Sequence, residues 1–89
     1  MTSREVTIQN RLGLHARAAA RFVHTAAQFE SRVTAGRNGR VMDGKSILGI
    51  LLLGASRGTT VEISAEGADE EAAVQALVSL VEGRFGEDG

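Results

Sequence analysis

The sequence predicts one α+β domain over residues 1–89, a four-stranded sheet with helices on one face. Three features carry that prediction. Three short runs alternate polar and apolar residues, the period of a half-buried strand, and a fourth strand-like run returns at Val41-Met42. Asn38-Gly39 stands between two of those runs, and Asn-Gly is the strongest short-range hairpin signal. Two longer stretches, one opening at Ala16 and one following Asp69, switch to helical spacing of their apolar residues.

The first strand is expected from Arg4 to Gln9, with Val6 and Ile8 facing the same way. Asn10 to Leu14 is a loop, where Gly13 can adopt backbone angles closed to other residues. The first helix places Ala19, Phe22, Val23 and Ala26 on one face and ends near Gln28 or Phe29; six alanines between Ala16 and Ala27 favour it. Arg32 to Ala35 alternates again, with Val33 and Ala35 inward, and Val41 and Met42 return beyond the hairpin turn. Asp43-Gly44-Lys45 breaks that strand. Ser46 suits a helix N-cap, because its hydroxyl can accept a bond from an unpaired N–H. The helix it opens, Ile47 to Leu53, is apolar on nearly every side, and Gly54 is placed to stop it. Thr59 to Ala65 forms the fourth strand, with Val61 and Ile63 inward. Asp69 is expected to cap the last helix, with Glu70 and Glu71 complementing its positive end. Val74, Leu77, Val78, Val81 and Phe85 form its buried stripe, and Glu87 to Gly89 is expected to be a frayed tail. Glu5, Thr7, Arg32, Thr34 and Glu62 belong to the solvent face of the sheet.

Bulk composition narrows the function. Hydrophobic residues make up 43% of the chain, enough for a packed core at this length. The net charge of −1 and the lack of a basic patch argue against a nucleic-acid partner. There is no cysteine, so thiol chemistry and disulfides are excluded, as suits a cytoplasmic protein. His15, His24 and the carboxylates show no metal-ligand spacing, and neither metal nor cofactor is expected. The longest apolar run, Ile47 to Ala55, is far shorter than the about 20 residues that cross a bilayer, and the first residues lack a signal-peptide stretch.

One segment concentrates chemistry: Gly13-Leu14-His15-Ala16-Arg17-Ala18-Ala19-Ala20. His15 stands at the mouth of the first helix, whose positive end disfavours an imidazolium and leaves a ring lone pair available for attack. The N–H groups of Ala16 and Arg17 can hold an anion attached to that ring. The Arg17 guanidinium can grip phosphate oxygens in a forked geometry. On position alone, the plainer reading is an exposed helix cap beside a solvated arginine. His24 is a surface residue. A second constellation, Asp43-Gly44-Lys45-Ser46-Ile47-Leu48-Gly49, reads either as an ordinary loop and cap or as a phosphorylation site at a helix start, where added negative charge suits the local dipole. The surplus of aliphatic side chains in the short helix favours a docking patch beside it.

Asn10-Arg11-Leu12-Gly13-Leu14-His15-Ala16-Arg17 resembles the active-centre motif of the HPr family, the histidine-containing phosphocarriers of the bacterial phosphoenolpyruvate-dependent phosphotransferase system. Gly44-Lys45-Ser46-Ile47-Leu48-Gly49 is similar to the family's second signature, around a regulatory serine, and Gly58 to Val81 follows its pattern too. The resemblance implies an open-faced β-sandwich of βαββαβα order, a four-stranded antiparallel sheet covered by three helices. It implies that His15 accepts a phosphoryl group on Nδ1 from enzyme I and passes it to a histidine of an EIIA protein or domain. Arg17 would steady the phosphate, and Ser46 would be the target of HPr kinase/phosphorylase. Ile47, Leu48 and Leu51 would belong to the docking surface. The implied protein is a stoichiometric carrier rather than a turnover enzyme; nothing in the sequence suggests a stable oligomer, and a monomer is the default expectation. In one place the chain departs from the family pattern: Ala18 stands where proline is usual. An alternative reading within the same fold is a nitrogen-branch or purely regulatory interaction protein switched at Ser46; the presence of both His15 and Arg17 favours the carrier.

Overall fold

The computed structural model describes residues 1–89. The chain forms β1 (Thr2–Thr7), α1 (Ala16–Ala26), β2 (Arg32–Arg37), β3 (Arg40–Asp43), α2 (Ile47–Leu52), β4 (Thr60–Glu66) and α3 (Glu70–Glu82), then a single 3-10 turn, Arg84–Gly86. The sheet order is β1-β4-β2-β3, and every neighbouring pair is antiparallel. Register follows the alternation of the sequence. Val6 lies opposite Val61, and Ala35 opposite Ile63, all four buried on one face. Glu5 lies opposite Glu62 on the other, exposed face. Arg37 pairs with Arg40 across the two-residue turn, where Asn38 and Gly39 have φ of 53° and 79°. Both values are left-handed, as the turn that matches strand twist requires.

The helices cover the apolar face. Ala18, Ala19, Phe22 and Ala26 of α1, Ile50 of α2, and Ala73, Val74, Leu77, Val78 and Val81 of α3 join Val6, Ile8, Val33, Ala35, Val61, Ile63 and Ala65 in one core. The predicted architecture is therefore the observed one. The boundaries shift: β1 spans Thr2–Thr7 rather than Arg4 to Gln9, and α1 closes at Ala26, with Ala27 as its C-cap. Ala18 is fully buried, whereas Val23 only packs against the rim of the core.

Three expectations are corrected. Asp69 precedes α3 but makes no side-chain cap bond to it. Its carboxylate instead accepts the N–H groups of Glu30 and Ser31, each at 2.9 Å, and the Ser31 hydroxyl. The acid is used to tie the end of α1 to the start of α3, which satisfies more donors than a local cap does. Phe85 is buried, as expected, but not on the helix. α3 has ended at Glu82, and Arg84 and Phe85 take left-handed backbone angles, φ 58° and 55°. That turn swings the ring into the core and reverses the chain. Consequently Glu87 to Gly89 is not a frayed tail. Phe85 O accepts a bond from the Arg21 guanidinium, and Gly89 O accepts the Arg11 N–H at 2.6 Å.

The acidic groups at the start of α3 make stability depend on pH. The Thr2 hydroxyl, then the Gly67 N–H and the Met1 ammonium, hold the Glu70 carboxyl down from the usual 4.5 to about 2. The Ser31 hydroxyl, then the Glu30 N–H, lower Asp69 as well. Both groups are depressed on folding, so their contribution is complete above about pH 4.5 and is lost as pH falls through the folded values. Urea midpoints measured from pH 6 to pH 2 are expected to decline below pH 4.5. The decline should be shallower in Glu70→Gln and in Asp69→Asn.

Candidate functional site

The site begins with a loop pressed against its neighbour. Gly13 has φ +67°, and an added Cβ there would lie 2.6 Å from Ala55 O and 2.8 Å from Ser56 Cα. Only glycine lets the loop approach so closely. Leu14 then donates its N–H to Ala55 O at 2.9 Å, and the chain enters α1 with His15 as the N-cap in an extended conformation. The His15 carbonyl accepts the Ala19 N–H at 2.8 Å, and its Nδ1 accepts the Arg17 N–H at 3.3 Å. The imidazole therefore caps its own helix, a role usually taken by Ser, Thr, Asp or Asn.

The other ring nitrogen meets the chain's last residues. Nε2 lies 2.6 Å from Glu87 Oε2. Asn10, fully buried, donates its amide Nδ2 to Glu87 Oε1 at 3.0 Å and to Gly13 O at 2.8 Å. Burial alone would raise the Glu87 carboxyl. The bonds from Asn10 and His15, with the charges of His15 and Arg21, outweigh it and hold the group below its ordinary value. An ionised carboxylate offers only lone pairs, so Nε2 carries the proton. A backbone N–H can only donate, so Nδ1 presents its lone pair. When the ring is neutral, these two bonds specify one tautomer.

Around the ring lies an open depression of about 520 Å³, lined by Arg11, Leu12, His15, Arg17, Glu87 and the chain beyond it. The His15 side chain keeps 28% of its accessible surface. Neither Arg11 nor Arg17 has an ion-pair partner, so two guanidinium groups are available to an anion at the ring. Ser46 caps α2 as expected, its Oγ accepting the Gly49 N–H at 3.1 Å. α2 packs against α1, and Ile47 and Leu48 are exposed, Leu48 to 66%. Leu51 is half-buried against the core, while Leu12 and Leu52 join the exposed apolar surface. His24 is on the surface.

Sequence reasoning brought His15, Ala16 and Arg17 to one helix end, and there they stand. It gave no role to Asn10 and Arg11, although both lie in the motif, and it set Glu87 in a frayed tail. One signal was present: a phenylalanine assigned to the core at position 85 leaves too little slack for residue 87 to move freely.

The PTS-HPr family profile, described as "PTS HPr component phosphorylation site", matches residues 2–83. A phosphocarrier protein HPr of Xylella fastidiosa is 48% identical over 88 residues, covering 99% of each chain. The crystal structure of HPr-C-His from Thermoanaerobacter tengcongensis superposes with a TM-score of 0.96 at 47% identity, covering 100% of both chains. A crystal structure of an HPr dimer from the same organism gives 0.79 at 48% identity, covering 98% of this chain and 100% of that one.

Two substitutions test the local architecture. Gly13→Ala is expected to lower stability by about 1–3 kcal/mol, from left-handed strain and the contact with Ala55, read by urea unfolding. Ser46→Ala should cost about 1 kcal/mol through loss of the cap, while Ser46→Asp, which can cap α2 equally, should stay near wild type.

Proposed function

The chain belongs to the HPr family of the phosphotransferase system, and from that membership and the geometry at His15 we propose that it relays a phosphoryl group from enzyme I to a histidine of an EIIA protein or domain. The observation that carries this reading is the placement of the His15 ring, with Nε2 bonded to the Glu87 carboxylate and Nδ1 accepting the Arg17 N–H at the opening of α1. In the transfer, the Nδ1 lone pair of the neutral ring forms the N–P bond as the donor's bond to phosphorus breaks. No proton needs to leave Nδ1, and Nε2 keeps its own. The PO₃ group would replace the ring as acceptor for the Arg17 N–H and take the Ala16 N–H, at the end of the helix that favours anions. The Arg17 guanidinium would hold its oxygens.

The open depression fits a carrier that must release its load to a second protein. Such a protein acts once per phosphoryl group and is not a turnover catalyst. Ile47, Leu48 and Leu51 would form the docking surface on α2. Ser46 would be the regulatory site for HPr kinase/phosphorylase, since a phosphate at the N-cap adds charge where the helix dipole accepts it. No helix is long and apolar enough to cross a membrane. We place the carrier in the cytoplasm as one domain, residues 1–89, working as a monomer and needing no cofactor. A purely regulatory role would leave the Nδ1 geometry and the unpaired Arg17 without a use.

Incubation with enzyme I and labelled phosphoenolpyruvate should place label on the protein that is lost in acid and kept in alkali. His15→Ala should take up none, and Arg17→Ala should take it up at least about tenfold more slowly. HPr kinase and ATP should add an acid-stable label that Ser46→Ala lacks. Label confined to Ser46 would refute the relay.

A further inference from the structure

We propose that Glu87, backed by Asn10, is a positioning residue for phosphoryl transfer: it holds the His15 ring by Nε2 and balances the positive charge that the ring gains when Nδ1 bonds phosphorus. The inference rests on the carrier reading above and extends it to the last residues of the chain. Three observations support it. The Glu87 carboxylate is itself mostly buried, its side chain 16% exposed, and its Oε2 lies 2.6 Å from Nε2. Its other oxygen is held by Asn10, which is anchored in turn to Gly13 O, in the loop that delivers His15. The segment is tied on both sides of Glu87, through Phe85 to Arg21 and through Gly89 to Arg11. A side chain fixed at so many points is a built part of the site.

The chemistry follows from charge. A neutral imidazole with its proton on Nε2 becomes cationic when Nδ1 commits its lone pair to phosphorus. The groups that meet the ring are the α1 N–H groups, which oppose a cation, and Glu87, which favours one. Arg11 and Arg17 line the same depression, together with Asp88, and Arg21 acts on Glu87 from α1. Glu87 alone among them bonds the ring nitrogen that must stay protonated. A phosphorylated ring that keeps this proton is the better leaving group, because departure of PO₃ returns a neutral imidazole. The carboxylate therefore assists both loading and unloading. The arrangement parallels a buried acid that orients a catalytic histidine without taking its proton.

Glu87→Gln keeps an acceptor for the Nε2 proton but removes the charge, and Glu87→Ala removes both. Before any phosphorylation, proton NMR of the full chain should show a downfield Nε2–H resonance in wild type and Glu87→Gln that is absent from Glu87→Ala. After loading by enzyme I and phosphoenolpyruvate, the rate of label loss should be followed against pH. In Glu87→Gln the falling alkaline limb should move to lower pH by roughly one unit, a tenfold change in proton concentration. Transfer to EIIA at alkaline pH should be slower by on the order of tenfold in both variants. Wild-type pH profiles and transfer rates in both variants would overturn the assignment. A wild type that takes no label would sink the carrier reading instead, and the NMR comparison would still report whether Glu87 holds the ring.

Discussion

Burial of Phe85 is the constraint on which the site depends. α3 ends at Glu82, and Phe85 reaches the core only through the left-handed turn that follows. The left-handed angles at Arg84 and Phe85 are costly for side chains with a Cβ, on the order of 1 kcal/mol each. Full burial of a phenylalanine returns about 1.5–3 kcal/mol. The buried ring offsets much of that cost, and the turn brings Glu87 to the mouth of α1. Without it, His15 would face water on its Nε2 side, and Asn10 would lose its carboxylate partner.

The site is then assembled from three parts of the chain that are distant in sequence. The loop at Gly13 is pressed on residues 55 and 56, α1 supplies its opening N–H groups, and the final residues supply the carboxylate. Each part acts on a different atom of the ring. The helix end addresses Nδ1 and Glu87 addresses Nε2, so their opposed fields do not simply cancel. One leaves a lone pair where an electrophile can reach it, and the other keeps the proton where it is needed.

What the sequence made legible was whatever depends on local period and local chemistry. Alternation gave Val6 with Ile8 and Val61 with Ile63 as inward pairs, Asn38-Gly39 gave the turn, and Ser46 gave the cap of α2. His15 and Arg17 were legible because cap, dipole and charge all lie within three residues. The rest is tertiary. Asp69 looks like a cap from its neighbours in sequence, yet the unpaired N–H groups of Glu30 and Ser31 reach it first. Glu87 looks like part of a tail because charged residues near glycines usually are. Its role appears only when the reversal at Phe85 is known, and no local pattern announces the positive φ of Arg84 and Phe85.

Ala18 shows how much latitude the same geometry allows. Ala18 is in the first turn of α1, where backbone N–H groups have no intrahelical acceptor. Proline, usual in the family at this position, removes a donor that the helix does not use and sets the backbone angle in advance. Alanine leaves the donor in place and lets its small side chain disappear into the core. Rigidity here comes from other contacts: the loop seated on Ala55, the ring capping its own helix, and Glu87 behind it. A site braced from both sides of the imidazole does not need the first turn of its helix to be stiffened by a ring in the backbone.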